Sequence, residues 1–261
     1  MQTQEQTEQG NTQNGQQVEQ PSPATQGESG KKLSISTSAA IVTAGALIAL
    51  AVIFSGKGGL TAPKTTAPVK SQAPVATAPN GKTEVKSTDY VRGDLTKADV
   101  VIIEYSDSDC PFCQKFHVTM QDVLKNYGDK VAWVYRYFPL NIHPNAQSEA
   151  LALECVGQLG GNESFWKYLD QIINTTTAPD KNNALLTSTA VSLGIDAKLF
   201  GSCMANSSTA KKVTDQGAEA QSLGARGTPY SVAISKSGEQ VAISGAYPIE
   251  EVKKVIDGLL K

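Results

Sequence analysis

The sequence predicts an α/β domain in two parts, with a block of helices inserted between them, set behind a single apolar span and a spacer. Three observations carry that prediction. Around residues 98–140, two runs rich in β-branched and aromatic residues flank a helical pattern, the order strand–helix–strand. After residue 228, two more strand-like runs and an amphipathic helix close the chain. Between these halves, from about residue 144 to 223, apolar residues recur at helical spacing.

The elements follow in chain order. Residues 1–32 are expected to be a disordered Gln-rich tail. The first 30 hold nine Gln, four Glu and no aromatic residue, too little apolar surface to offset the entropy of ordering. Residues 33–56, "LSISTSAAIVTAGALIALAVIFSG", carry no charge. A helix of that length spans roughly 36 Å, so a transmembrane anchor is expected. The run exceeds a usual signal-peptide core and no clear A-x-A site follows, which weighs against a cleaved signal. Lys31 and Lys32 precede it while Lys57, Lys64 and Lys70 follow, so charge alone does not orient it. Residues 57–85 repeat Ala-Pro among Thr, Ser and Lys, the composition of an extended spacer. The globular domain is then expected over 86–261.

Within that domain "ADVVIIEYS" reads as a buried strand. A helix is expected from Pro111 to about Tyr127, with Phe112, Phe116, Met120, Val123 and Leu124 at helical spacing and proline in the first turn, where a helix tolerates it. "KVAWVYRYFPL" reads as the second strand, a parallel neighbour reached by a right-handed crossover. Helices are expected over 145–159, 164–173, 185–193 and 197 to about 223, punctuated by Gly160-Gly161 and Gly194. "PYSVAIS" and "EQVAISG" form a hairpin through Lys236-Ser237-Gly238, and a last helix runs from Pro248 to Leu260.

The net charge is −2, so no basic field argues for nucleic acid. No Gly-rich nucleotide loop is present, and no soluble cofactor is expected. The chemistry points instead to "DCPFC". Cys110 directly precedes a helix start, where unpaired backbone N–H groups and the helix dipole favour a thiolate. Cys113 lies one turn further on the same side. An exposed attacker beside a shielded resolver suits thiol–disulfide exchange. Two rivals remain at this level: half of a zinc site, which lacks a second ligand pair, and two inert buried thiols. Of the two histidines, His117 is expected on a solvent-facing helix surface and His143 in a local structural contact.

"EYSDSDCPFCQKF" at the end of one strand and "GARGTPYSVAI" at the start of a later one resemble the thioredoxin superfamily. The helical insertion of about 144–223 points to its DsbA-like branch, and the match runs from about Val100 to Leu260. The resemblance implies a thioredoxin fold with an inserted helical subdomain. Cys110 would be the nucleophile and Cys113 the resolving thiol. Glu104, six residues before Cys110, would be a buried carboxylate relaying a proton to or from Cys113. Pro111, Phe112, Thr228 and a cis Pro229 would meet the client peptide. No metal is implied. The sequence departs from the best-known members in carrying Pro-Phe rather than Pro-His between the cysteines, which puts its oxidising strength in question. With Cys110 and Cys113 paired, Cys155 and Cys203 remain for a structural disulfide.

The function implied is a membrane-anchored thiol:disulfide oxidoreductase that donates the Cys110–Cys113 disulfide to unfolded exported proteins with free thiols. A quinone-linked membrane protein of DsbB or VKOR type would reoxidise it. Such a protein belongs in the cell membrane as a single-pass chain, N-terminus cytoplasmic and catalytic domain extracytoplasmic. Two alternatives stand beside it: a reductase or isomerase kept reduced by a membrane electron donor, and a non-enzymatic peptide-binding module.

Overall fold

A computed structural model describes residues 77–175 and 183–261. The tail, the expected anchor and residues 57–76 of the expected spacer lie outside the described residues. Among the described residues, no helix is long and apolar enough to cross a membrane.

The sheet has five strands in the order β1-β3-β2-β4-β5. They are β1 (Tyr90–Arg92), β2 (Val100–Ser106), β3 (Val131–Tyr137), β4 (Tyr230–Ser235) and β5 (Gln240–Ser244). β2 and β3 pair in parallel, joined by helix α1 (Pro111–Tyr127), as the strand–helix–strand pattern requires. The remaining pairings are antiparallel. The β4–β5 hairpin turns through Gly238, which takes φ +85° and so suits the residue without a Cβ.

Both faces of the sheet are covered. On β3, Val131, Trp133, Tyr135 and Tyr137 enter one core with α1, the inserted helices and the C-terminal helix. Val134 and Phe138 enter the other, with Ala220, Leu223 and Ala225. This double burial explains why β2 and β3 read as near-continuous apolar runs rather than alternating ones.

The insertion consists of α2 (Ala146–Asn174), α3 (Asn183–Ser192), α4 (Ala197–Met204) and α5 (Ser207–Ser222). The two helices expected over 145–159 and 164–173 are both present within α2, which is broken at Gly161, where the backbone is not helical (φ 77°, ψ −175°). The single helix expected from residue 197 is instead two. Asp196 caps α4 by accepting from Leu199 N–H at 2.8 Å, and Asn206 caps α5 by accepting from Ser208 N–H at 2.9 Å. Cys155 of α2 and Cys203 of α4 form a disulfide inside this insertion. The chain closes with α6 (Ile249–Leu259), packed on α1 and β4.

Two sequence expectations need correction. β1 was not foreseen; it is a three-residue edge strand that pairs only with β3 and is tied by Asn162 to both the N–H and C=O of Val91. Residues 77–85, expected to be spacer, pack on the domain. Thr77 bridges Ala242, Thr83 is buried, and Thr83 N–H donates to Gln240 Oε1 at 3.1 Å. Their composition resembled a linker, but Arg136 supplies a buried anchor for them. Its guanidinium donates to Asp89 twice, at 3.0 and 2.7 Å, and to Glu84 O, Thr83 Oγ1, Tyr105 Oη and Glu219 Oε1.

Candidate active site

Cys110 is the residue preceding α1, with extended backbone (φ −83°, ψ 123°), and Pro111 occupies the first helical position. Both cysteines are free thiols. The helix start aims the N–H groups of Phe112 and Cys113 at the Cys110 sulfur, and these help lower its pKa. The largest contribution is a hydrogen bond from the Cys113 thiol; Thr228 adds to it, and against the opposing effect of burial the thiol is brought down to about 5. Cys113 behaves oppositely. Burial pushes it well above the ordinary thiol value, and the neighbouring Cys110 and Glu104 charges push the same way. The surroundings therefore favour the thiolate on Cys110 and the thiol on Cys113.

Cys110 is not the exposed attacker the sequence suggested: it is only 3% accessible, and Cys113 is wholly buried. Cys110 Sγ lies 3.6 Å from Thr228 O, and the Thr228–Pro229 peptide is cis. The thiol thus sits in a shallow seam between the α1 start and the turn before β4. Phe112 projects from its rim, 60% exposed. Neither cysteine lines either of two clefts of about 620 Å³ elsewhere on the domain. The seam offers backbone and apolar edges, which suit a peptide better than a small molecule.

Glu104 lies beneath the cysteines on β2, fully buried, and Trp133 Nε1 donates to its Oε2 at 2.9 Å. Its other oxygen, Oε1, finds no hydrogen-bond partner. Burial raises the carboxyl to about 7, with the polar neighbours Ser106 and Trp133 opposing the rise. An acid of that pKa beside a buried thiol is suited to hold or release a proton near neutral pH.

Three further residues belong to this neighbourhood and were not assigned to it from the sequence. Trp133 orients Glu104 from β3. Asp107 N–H donates to Cys113 Sγ at 3.4 Å, and Asp107 O accepts from Cys110 N–H at 3.0 Å. His143 Nδ1 meets Asp107 Oδ2 at 2.7 Å, the local contact expected of it, but on a residue that touches both cysteines. The signal was present as an acidic residue three before Cys110, yet nothing in the sequence linked it to residue 143. His117 is not solvent-facing. It is 1% exposed, with Nε2 2.8 Å from Asp170 Oδ1 and its ring 5.0 Å from Trp133, because the insertion closes over that side of α1. Among the described residues, no group of three or more His, Cys, Asp or Glu could hold a metal ion.

Comparison with known proteins agrees with this geometry. A family model described as Thioredoxin matches residues 86–258. Among solved structures, Wolbachia pipientis alpha-DsbA1 superposes with a TM-score of 0.59 at 23% identity, covering 67% of this chain and 92% of that one. Pseudomonas aeruginosa DsbA2 gives 0.56 at 24% identity over 68% and 97%. The catalytic domain of Proteus mirabilis ScsC gives 0.55 at 17% identity over 67% and 90%. At these identities the likeness is one of fold. Among curated proteins, Na(+)/H(+) antiporter NhaA 1 of Mycolicibacterium vanbaalenii is 30% identical over 144 residues, 54% of this chain and 22% of that protein. Na(+)/H(+) antiporter NhaA 3 of Salinispora tropica is 35% identical over 86 residues, 33% of this chain and 12% of that protein. The chain thus spans about a fifth or less of the curated relatives it matches.

Proposed function

The chain belongs to the thioredoxin family, and from that membership and the paired cysteines we infer a thiol–disulfide oxidoreductase that donates its Cys110–Cys113 disulfide to exported proteins. The observation that supports this direction is the unequal pair: Cys110 held near pKa 5 and Cys113 held well above the ordinary value. A stabilised thiolate favours the reduced form and therefore makes the disulfide a stronger oxidant.

In this reading a client thiolate attacks Cys110 Sγ. The Cys110–Cys113 bond breaks, and its electron pair leaves on Cys113, which takes a proton; Glu104 is the buried acid placed to supply it. A second client thiolate then attacks the client sulfur of the mixed disulfide and expels Cys110 as its stabilised thiolate. The client gains a disulfide and the enzyme gains two electrons. A quinone-linked membrane partner of DsbB or VKOR type would remove them. Residues 33–56 would anchor the chain in the cell membrane with the domain on the extracytoplasmic side, where clients are oxidised.

The test is the reduction potential of the full chain, equilibrated in glutathione buffers, with a Cys113→Ser variant used to trap clients on Cys110. A potential near or above about −150 mV, close to the most oxidising members of this class, fits an oxidase. A value near or below about −250 mV would turn the electron flow toward clients and favour a reductase. Failure of Cys113→Ser to form any mixed disulfide would remove the enzymatic reading.

A further inference from the structure

The turn before α1 is stitched to the loop after β3 by carboxylates. Asp107 is buried, and its Oδ1 accepts from Asp109 N–H at 2.9 Å. Its Oδ2 accepts from Leu140 N–H at 2.9 Å and meets His143 Nδ1 at 2.7 Å. Asp109 Oδ2 in turn accepts from Asn145 N–H at 2.9 Å. His143 is therefore held beside a residue whose main chain bonds both active-site cysteines. Its side chain keeps 16% of its surface exposed, enough for exchange of a proton with water.

A carboxylate at Asp107 opposes a negative sulfur nearby. An imidazolium on the far side of that carboxylate cancels the opposition. The C-x-x-C motif contributes no cation of its own, since Phe112 stands between the cysteines. The charged and titratable groups around the pair are Asp107 and Asp109 from the turn, Cys110 just before α1 and Cys113 within it, Glu104 from β2, Tyr135 from β3 and His143 from the loop after β3. Among these, His143 alone becomes a cation on protonation. The other histidine, His117, is committed to Asp170.

We propose that His143 is a positioning residue of this oxidoreductase: fixed by Asp107, it supplies from outside the C-x-x-C motif the positive charge that favours the Cys110 thiolate, so that reduction of the disulfide draws a proton onto its ring. The proposal rests on the reading of Cys110 as the attacking thiolate. The electrostatics agree with the geometry. Burial works to lower the His143 pKa, but the Asp107 hydrogen bond and the charges of Asp107, Cys110 and Asp109 outweigh it and leave the pKa raised. Coupling is reciprocal: if the thiolate holds the proton on His143, the imidazolium holds the thiolate. The balance closes. A client dithiol gives two electrons and two protons and becomes a disulfide; the Cys110–Cys113 bond breaks; one proton goes to Cys113. The other goes to His143 where it was neutral, and otherwise to solvent.

Two measurements on the full chain test this. The chain has two histidines, so their ring protons are separable by NMR. His143 should titrate at higher pH in the reduced protein than in the oxidised one. His143→Gln should raise the pH midpoint of Cys110 ionisation, read by ultraviolet thiolate absorbance, and shift the equilibrium with glutathione about tenfold toward a more reducing enzyme, about 30 mV. Equal His143 midpoints in the two redox states overturn the proposal, whether or not the variant folds. An unmoved Cys110 midpoint in folded His143→Gln overturns it as well. A Cys110 midpoint that is not depressed even in the unaltered protein would instead overturn the attacking-thiolate reading on which the proposal stands, so the two failures are distinct.

Discussion

Replacing Glu104 with Gln should stabilise the protein at alkaline pH and not at acidic pH. The carboxyl is fully buried and its pKa rises from the usual 4.5 to about 7. The sign follows from proton linkage. Below the ordinary value the group is protonated in both the folded and unfolded chain, and its burial carries no charge penalty. As pH rises from there to about 7, the unfolded chain releases the proton while the folded one keeps it, so stability falls. Above about 7 both forms are ionised and the whole penalty stands. At about 1.4 kcal/mol per pH unit, that window amounts to about 3 kcal/mol. The substitution has a cost of its own. The Gln carbonyl can keep the Trp133 hydrogen bond, but its amide would point a donor where Oε1 now lacks a partner, about 1–3 kcal/mol. That cost is the same at every pH, so the informative quantity is the difference. Urea unfolding of the oxidised protein at about pH 4 and about pH 8 should show Glu104→Gln more favourable at the higher pH by about 3 kcal/mol. A difference under about 1 kcal/mol would refute the claim that this carboxyl is held protonated by burial.

Two further outcomes follow from other parts of the molecule. The Cys155–Cys203 bridge closes a separation of 48 residues, so Cys155→Ala with Cys203→Ala should lower unfolding free energy by about 4 kcal/mol on the chain-entropy model, read by denaturant titration; a loss under about 1 kcal/mol would mean the insertion needs no crosslink. Arg136→Met should cost about 3–5 kcal/mol, because it leaves the Asp89 carboxylate buried without its partner. It should leave the Cys110–Cys113 potential unchanged, since Arg136 packs with the Tyr105 face of the sheet and Glu104 lies on the other. A shifted potential would show that the two faces communicate.

The parts of this fold legible in the sequence are those fixed locally. β2, α1 and β3 announce themselves because buried parallel strands are continuously apolar and the helix has a proline at its start. Glu104 could be placed under the cysteines because the family resemblance implies a carboxylate six residues before Cys110 and the run around it reads as buried. What could not be read depends on partners distant in sequence. His117 looks like a surface residue of α1 until Asp170, 53 residues away, comes to meet it. β1 has too few residues to show a period and exists because β3 offers it an edge. The link between Asp107 and His143 spans 36 residues and is made by a loop whose path only packing decides. Helix breaks divided the same way. Gly160-Gly161 marked a real interruption, but the break before α5 is set by the Asn206 cap, one polar residue in a run that otherwise kept helical spacing.

The docking of residues 77–85 on the domain changes its reach. A spacer's range is counted from where the chain leaves the folded body, and here that point lies at least nine residues earlier than composition suggests. Fully extended, those residues would have lengthened the tether by about 30 Å. Held against β5 and Arg136, they add nothing to the tether that the proposed anchor of residues 33–56 would leave to the domain. On that proposal, the partners within reach of Cys110 are those that come to the shorter radius.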